Sequence, residues 1–94
     1  MTQQILVLGA GRVGGFMAAD LAHDADFAVT VADRDALTLE QLEAHAPVRA
    51  VVEDLTDPAV VTRLAAAHDL VLGALPGRLG HAALAAVIEA GRPV

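Results

Sequence analysis

The six residues Gly9-Ala10-Gly11-Arg12-Val13-Gly14 constrain this chain more than any others, because of what flanks them. They follow Ile5-Leu6-Val7-Leu8, a continuous apolar run of the kind found in strands buried on both faces. They open a segment from Arg12 to about Ala22 in which Val13, Met17 and Leu21 recur every four residues, the stripe of an amphipathic helix. A glycine-rich turn between a buried strand and such a helix is the first half of a βαβ unit, and the remaining chain must then supply parallel neighbours for the strand.

The remaining chain has that alternation. Ala28 to Ala32 reads as a second strand, and a second helix beginning around Asp33-Arg34-Asp35 carries Leu39, Leu42 and Ala46 before Pro47 stops it. Val48 to Val52 reads as a short third strand. Asp57-Pro58 then places a capping carboxylate before a proline in the first helical turn, and the third helix runs to about Ala67. Leu70-Val71-Leu72 is a fourth strand, followed by the loop Gly73-Ala74-Leu75-Pro76-Gly77. A last helix has Leu84, Val87 and Ile88 on one side and Gly91 as its stop. The expected fold is α/β, a doubly wound parallel sheet of Rossmann type with strand order 3-2-1-4. Arg92-Pro93-Val94 resembles the opening of a fifth strand, missing or rudimentary, so residues 1–94 are expected to form one nucleotide-binding domain truncated there.

Composition narrows the partners. Six basic against 12 acidic residues give a net charge of −6, which argues against nucleic acid and anionic membrane surfaces, since both demand clustered Lys and Arg. The chain has no Cys, which excludes disulfide scaffolds, zinc ribbons and thiol catalysis and fits a reducing compartment, the cytoplasm by default. The apolar stretch Ile5 to Ala10 is too short for a signal peptide or a membrane span.

The string Gly9 to Gly14 fits G-x-G-x-x-G, which alone is a weak signal. Its context adds a strand before, a helix after, and Asp33 at the end of the next strand, 19 residues beyond Gly14 (33 − 14). In that geometry Gly9 permits the tight turn, Gly11 lets the backbone approach a pyrophosphate, and Gly14 lets the helix pack on the strand. Unpaired N–H groups near Arg12 and Val13, with the positive end of the helix dipole, would bind the diphosphate without a lysine. Asp33 would accept from both ribose hydroxyls and repel a 2′-phosphate, favouring NAD. Arg34 beside it could pair with that phosphate, which keeps NADP as a second candidate. Asp54 and Leu55 end the third strand where an adenine would rest, and Leu75-Pro76 end the fourth near the nicotinamide half.

Plainer roles stand beside these. The glycine turn could bind nothing, Asp33 could cap the second helix, and Asp57 is read as a cap alone. His23, His45, His68 and His81 are scattered without metal-ligand spacing, so no metal is expected and the first three read as solvated. His81, in the first turn of the last helix, is the one placed where a proton-transfer role is conceivable, and Arg78 could contact a phosphate or face water.

Taken together, Ile5 to Gly14, Asp54-Leu55-Thr56-Asp57, Ala74-Leu75-Pro76-Gly77 and Val87-Ile88-Glu89-Ala90-Gly91 resemble the N-terminal cofactor domain of the saccharopine dehydrogenase family, which includes lysine 6-dehydrogenases. The resemblance covers nearly the whole chain and implies NAD(P)-dependent hydride transfer at a carbon–nitrogen bond of an amino acid, with the substrate held by a following domain that these 94 residues are expected to lack. It matches Gly9, Ala10, Gly11, Arg12, Val13 and Gly14 to the pyrophosphate loop, Asp33 and Arg34 to the ribose position, Asp54 and Leu55 to the adenine edge, and Leu75 and Pro76 to the loop under the nicotinamide ribose. No catalytic acid or base is assigned. Family members that use NADP tend to lack the acid at the ribose position, so Asp33 leans toward NAD. A second resemblance, carried by the same glycine string and Asp54-Leu55-Thr56-Asp57-Pro58, is to the nucleotide-sensing domains that regulate potassium uptake systems, which bind without turnover. Under either, the exposed sheet edge invites a homodimer.

Overall fold

The computed structural model describes residues 2–75, 87–88 and 90–91. Elements follow one another as β1 (Gln3–Leu8), α1 (Arg12–Ala22), β2 (Phe27–Asp33), α2 (Ala36–His45), β3 (Arg49–Val52), α3 (Pro58–Ala66) and β4 (Leu70–Gly73). The four strands form one parallel sheet in the order β3-β2-β1-β4. This is the expected doubly wound α/β arrangement.

β1 is central, and its apolar run shows why. Leu6 and Leu8 belong to the core cluster that includes Val61, Leu64 and Ala65 of α3, whereas Ile5 and Val7 belong to the opposite cluster with Ala18 of α1 and Leu39 of α2. A period-2 strand buried on both faces has no polar positions to spare, hence the unbroken Ile-Leu-Val-Leu. Each such side chain contributes roughly 1.5–3 kcal/mol of hydrophobic stabilisation, so β1 with its two layers of helices is the main anchor of the fold.

α1 packs differently from its apolar stripe. Among the described side chains of α1, Gly14 and Ala18 are buried and Met17 and Leu21 only half-buried, so the contact line is set one residue over from Met17-Leu21. Small residues on that line let the helix lie close to the sheet; the larger ones flank it. α2 starts later than expected: Asp35 is its cap, accepting from the Leu37 and Thr38 N–H groups, and Thr38 Oγ1 donates to the same carboxylate. Asp33 therefore does not cap the helix. α3 has its anticipated start, with Asp57 accepting from Ala59 N–H at 2.9 Å and Pro58 in the first turn.

Asp69 closes the far end of the sheet: its N–H donates to Gln4 O, and its carboxylate accepts from Gln4 N–H at 2.8 Å. His68 is not simply solvated. Its Nδ1–H donates to Leu64 O at 2.6 Å, satisfying a carbonyl at the end of α3. At 87–88 the chain is helical, but Val87 is 1% exposed and Ile88 64%, so the two do not share a buried side. Gly91 has φ +73°, the left-handed conformation expected of a helix stop, and its N–H donates to Ile88 O. Pro76, Gly77, Arg78, His81, Leu84 and Arg92-Pro93-Val94 lie outside the described residues. Among the described residues no helix is long and apolar enough to cross a membrane, and no group of His, Asp and Glu could hold a metal ion.

Candidate functional site

β1 is flanked by β2 on one side and β4 on the other, so the strand order reverses there, and open α/β sheets bind their ligands at the carboxyl ends of strands beside such a reversal. Leu8 pairs in register with Ala32 of β2 and Gly73 of β4, which brings the glycine turn, Asp33 and the segment Ala74-Leu75 to the same edge. Backbone bonds extend the ladder beyond the strands: Gly9 N–H donates to Ala32 O at 2.8 Å and Ala74 N–H to Leu8 O at 2.9 Å.

The three motif glycines have separate jobs. Gly9 has φ +100°, and a Cβ there would stand 3.0 Å from Leu75 Cδ2 and 3.2 Å from Ala74 O. A Cβ at Gly14 would stand 2.1 Å from Gly9 O and 2.9 Å from Ala74 Cβ, so the start of α1 is pressed against the turn and the end of β4. A Cβ at Gly11 would meet nothing within 4 Å. The fold requires glycine at positions 9 and 14 and places no steric demand on position 11.

Gly11 is the N-cap of α1, is solvent-exposed and offers no side-chain cap, and the first turn carries no acidic residue. Backbone N–H groups of a first helical turn lack intrahelical partners, and with the helix dipole they form a place for an anion. Arg12 and Val13 provide backbone to that turn.

Asp33 lies beside it, at the end of β2 and half-buried. Oδ2 accepts from Ala10 N–H at 2.7 Å, and Oδ1 accepts from Asp35 N–H at 2.9 Å. The carboxylate thus ties the glycine turn to the β2–α2 connection. Ala10 is itself buried.

The ends of β2 and β3 are joined as well. Asp33 pairs with Val52, and Glu53 N–H donates to Asp33 O at 3.0 Å, which sets exposed Arg34 beside exposed Asp54. Asp54 folds back on its own loop: Oδ1 accepts from Thr56 N–H at 2.9 Å and from the Thr56 hydroxyl. Those bonds, with a smaller contribution from the Arg34 charge, hold the Asp54 carboxyl below its ordinary pKa; Asp35 is lowered in the same way, chiefly by Thr38, and again with help from Arg34. Arg63 of α3 forms an ion pair with Glu53 at 2.9 Å.

The structure thus brings Gly9, Ala10, Gly11, Gly14, Asp33, Arg34, Asp54 and Leu75 to one edge. Leu55 differs: at 5% exposed it is packed in the core with Leu6, Leu8 and Ala32, and the exposed apolar side chain at this end of β3 is Val52, at 57%. Val52 was hidden in the sequence because an apolar residue ending a strand reads as core. Ala74, which seals Gly9 and Gly14, is marked in the sequence only as part of the Ala74-Leu75-Pro76-Gly77 string, and nothing there gives it this packing role. The Asp35 cap could have been found from its spacing to Thr38, three residues on.

Comparison with known proteins agrees with this geometry. Residues 5–94 match the family described as the saccharopine dehydrogenase NADP binding domain. The structure is similar to apo saccharopine dehydrogenase (L-Glu forming) from Saccharomyces cerevisiae, with a TM-score of 0.84 and 26% identity over 96% of this chain and 20% of that one. It also resembles a Rossmann-fold NAD(P)-binding family protein from Shigella flexneri, with a TM-score of 0.76 and 17% identity over 98% of this chain and 49% of that one. Likewise, scyllo-inositol dehydrogenase from Lactobacillus casei with bound NAD(H) and scyllo-inositol gives a TM-score of 0.77 and 21% identity over 98% of this chain and 26% of that one. The chain spans about a fifth to a half of the length of these relatives. No curated protein matches the sequence significantly. Of the two resemblances carried by the sequence, the family match supports the dehydrogenase one and not the potassium-uptake regulator. A glycine turn with one vacant glycine, an uncapped helix start and a carboxylate on the next strand are what a dinucleotide requires, and the chain belongs to the saccharopine dehydrogenase NADP-binding domain family, whose members are nicotinamide dinucleotide-binding Rossmann domains.

Proposed function

We propose that the protein binds NAD as the cofactor domain of an oxidoreductase that transfers hydride at a carbon–nitrogen bond of an amino acid, the amino acid being held by a separate domain. The observation that carries the binding half of this reading is Gly11. A glycine the fold does not need, exposed at an uncapped helix start between two glycines the fold does need, is explained by a ligand whose pyrophosphate takes the space a side chain would fill. The turn's N–H groups and the dipole of α1 would hold the pyrophosphate, so that a protein of net charge −6 binds an anion without spending a lysine on it.

Asp33 would hold the ribose hydroxyls and, being anionic, would favour NAD over NADP. The adenine would rest over the end of β3, against Val52, Asp54 and the backbone of Leu55, and the nicotinamide half would extend toward Leu75 and Pro76. NAD bound there supplies a hydride acceptor. The chain's own residues orient it; positioning a substrate against it is the part of the rate that a second domain would provide. Dinucleotide titration of Gly11→Val tests the reading: loss of binding with the fold intact supports it, and unchanged affinity overturns the proposed role of the turn. A homodimer through the sheet edge at β4 is a further proposal of the same reading, tested by oligomeric state against concentration.

A further inference from the structure

The loop between β3 and α3, residues 53–57, would form the wall for the adenine, and each of its residues is held. Leu55 is buried in the core. Asp54, Thr56 and Asp57 bond within two residues of themselves, Thr56 N–H and hydroxyl donating to Asp54 and Ala59 N–H to Asp57. Glu53 is held from farther off. Its Oε1 accepts from Arg63 Nη2 at 2.9 Å, an ion pair to a residue ten positions on, in the last turn of α3. Glu53 N–H in turn donates to Asp33 O at 3.0 Å, and Asp33 Oδ2 accepts from Ala10 N–H at 2.7 Å. Arg63, Glu53, Asp33 and Ala10 thus form one bonded series from α3 across the ends of β3 and β2 to the glycine turn.

We propose that Arg63 is a positioning residue for the adenosine half of the dinucleotide, acting through Glu53 and not by touching the ligand. The inference rests on the dinucleotide reading of the site. The local bonds of Asp54, Thr56 and Asp57 fix the shape of the loop; its place over the end of the sheet is fixed by Leu55 beneath it and by the Arg63–Glu53 pair. A binding loop already held in its bound position spares the cost of ordering it when the ligand arrives. The pair is solvated, with Arg63 62% and Glu53 28% exposed, so its contribution is that of a surface ion pair and weakens with salt. A cation in the last turn of α3 also complements the helix dipole, but that role alone would give Glu53 no part in binding.

The test is calorimetric titration with NAD and ADP-ribose, which share the adenosine half. It compares the unaltered protein with Arg63→Ala, Glu53→Ala, the double variant, and a charge-exchanged protein carrying Glu53→Arg and Arg63→Glu. Arg63 is exposed and belongs to neither core cluster, so Arg63→Ala opens no cavity. The expected result is about two- to fivefold weaker binding of both ligands to either single variant, no further loss in the double variant, and recovery in the exchanged protein. The difference between the unaltered protein and Arg63→Ala should close at about 1 M salt. If the exchanged protein does not fold, Arg63→Lys, which keeps a cation for Glu53, takes its place and should recover the binding. Unchanged affinity in Arg63→Ala, losses that add in the double variant, a loss for NAD without one for ADP-ribose, or no recovery with the charges restored each overturns the inference. Failure of the unaltered protein to bind either ligand overturns the reading beneath it instead.

Discussion

Asp33 Oδ2 accepts the Ala10 N–H at 2.7 Å, joining the end of the second strand to the middle of the glycine turn. The bond holds the turn to the sheet, and it places a carboxylate beside the site before any ligand arrives. Asp33 is therefore both a structural tie and the proposed ribose acceptor, and its removal should be felt twice. Asp33→Ala leaves a buried backbone N–H without its partner and should lower stability by about 1–3 kcal/mol in denaturant unfolding. In titrations the same variant should lose more affinity for NAD than for NADP; equal losses would mean that the carboxylate only holds the turn.

Glycines 11 and 14 should separate function from fold. Gly14→Ala drives a methyl to 2.1 Å from Gly9 O and must shift α1 or the turn, with a cost of about 1–3 kcal/mol or more. Gly11→Ala meets nothing and should leave the thermal midpoint close to that of the unaltered protein while weakening dinucleotide binding. Thermal unfolding and titration of the two variants side by side check this, and a Gly14→Ala protein of normal stability would contradict the packing described at the start of α1.

Asp35, not Asp33, caps α2. Asp35→Ala should lower stability by loss of the Leu37 and Thr38 hydrogen bonds, and Asp57→Ala should do the same at α3 by loss of the Ala59 bond, each seen as a lower urea midpoint. Circular dichroism with urea unfolding measures both. An Asp35→Ala variant with unchanged stability would show that the cap contributes nothing in solution.

Acid should reach these loops in a defined direction. The Asp35 and Asp54 carboxyls have pKa values lowered from the ordinary 3.8 by their Thr38 and Thr56 bonds, so each is more readily ionised in the folded state than in the unfolded one. Their stabilisation is complete above the ordinary value and is lost as the pH falls from there through the lowered folded value. The thermal midpoint should therefore drop on acidification through and below about pH 4, and the drop should be smaller in the Asp35→Asn, Asp54→Asn double variant. An equal drop in both proteins would place the acid sensitivity in other carboxylates.

The fold was largely legible because period and punctuation agree. Ile5 to Leu8 could only be a central strand, and Asp57-Pro58 could only open a helix. What the sequence hid were choices between near-equal neighbours. Val13, Met17 and Leu21 make a better apolar stripe than Gly14 and Ala18, yet close approach to the turn favours the small residues. Asp33 and Asp35 both suit a cap, and only the position of the Ala10 N–H decides that the first is turned toward the glycine loop. Leu55 looked like a strand-end residue open to an adenine, but the Asp54–Thr56 turn carries it inward to the core.

The central claim is that the uncapped turn at Gly11, with Asp33 beside it, binds a nicotinamide dinucleotide. The direct measurement is calorimetric titration of the protein with NAD, NADH, NADP and ADP-ribose side by side. The account predicts saturable binding, tighter for NAD(H) than for NADP and retained in part by ADP-ribose, which carries the pyrophosphate and the ribose that Asp33 would hold. Absence of binding by all four would contradict it and leave the glycine motif as a turn between a strand and a helix.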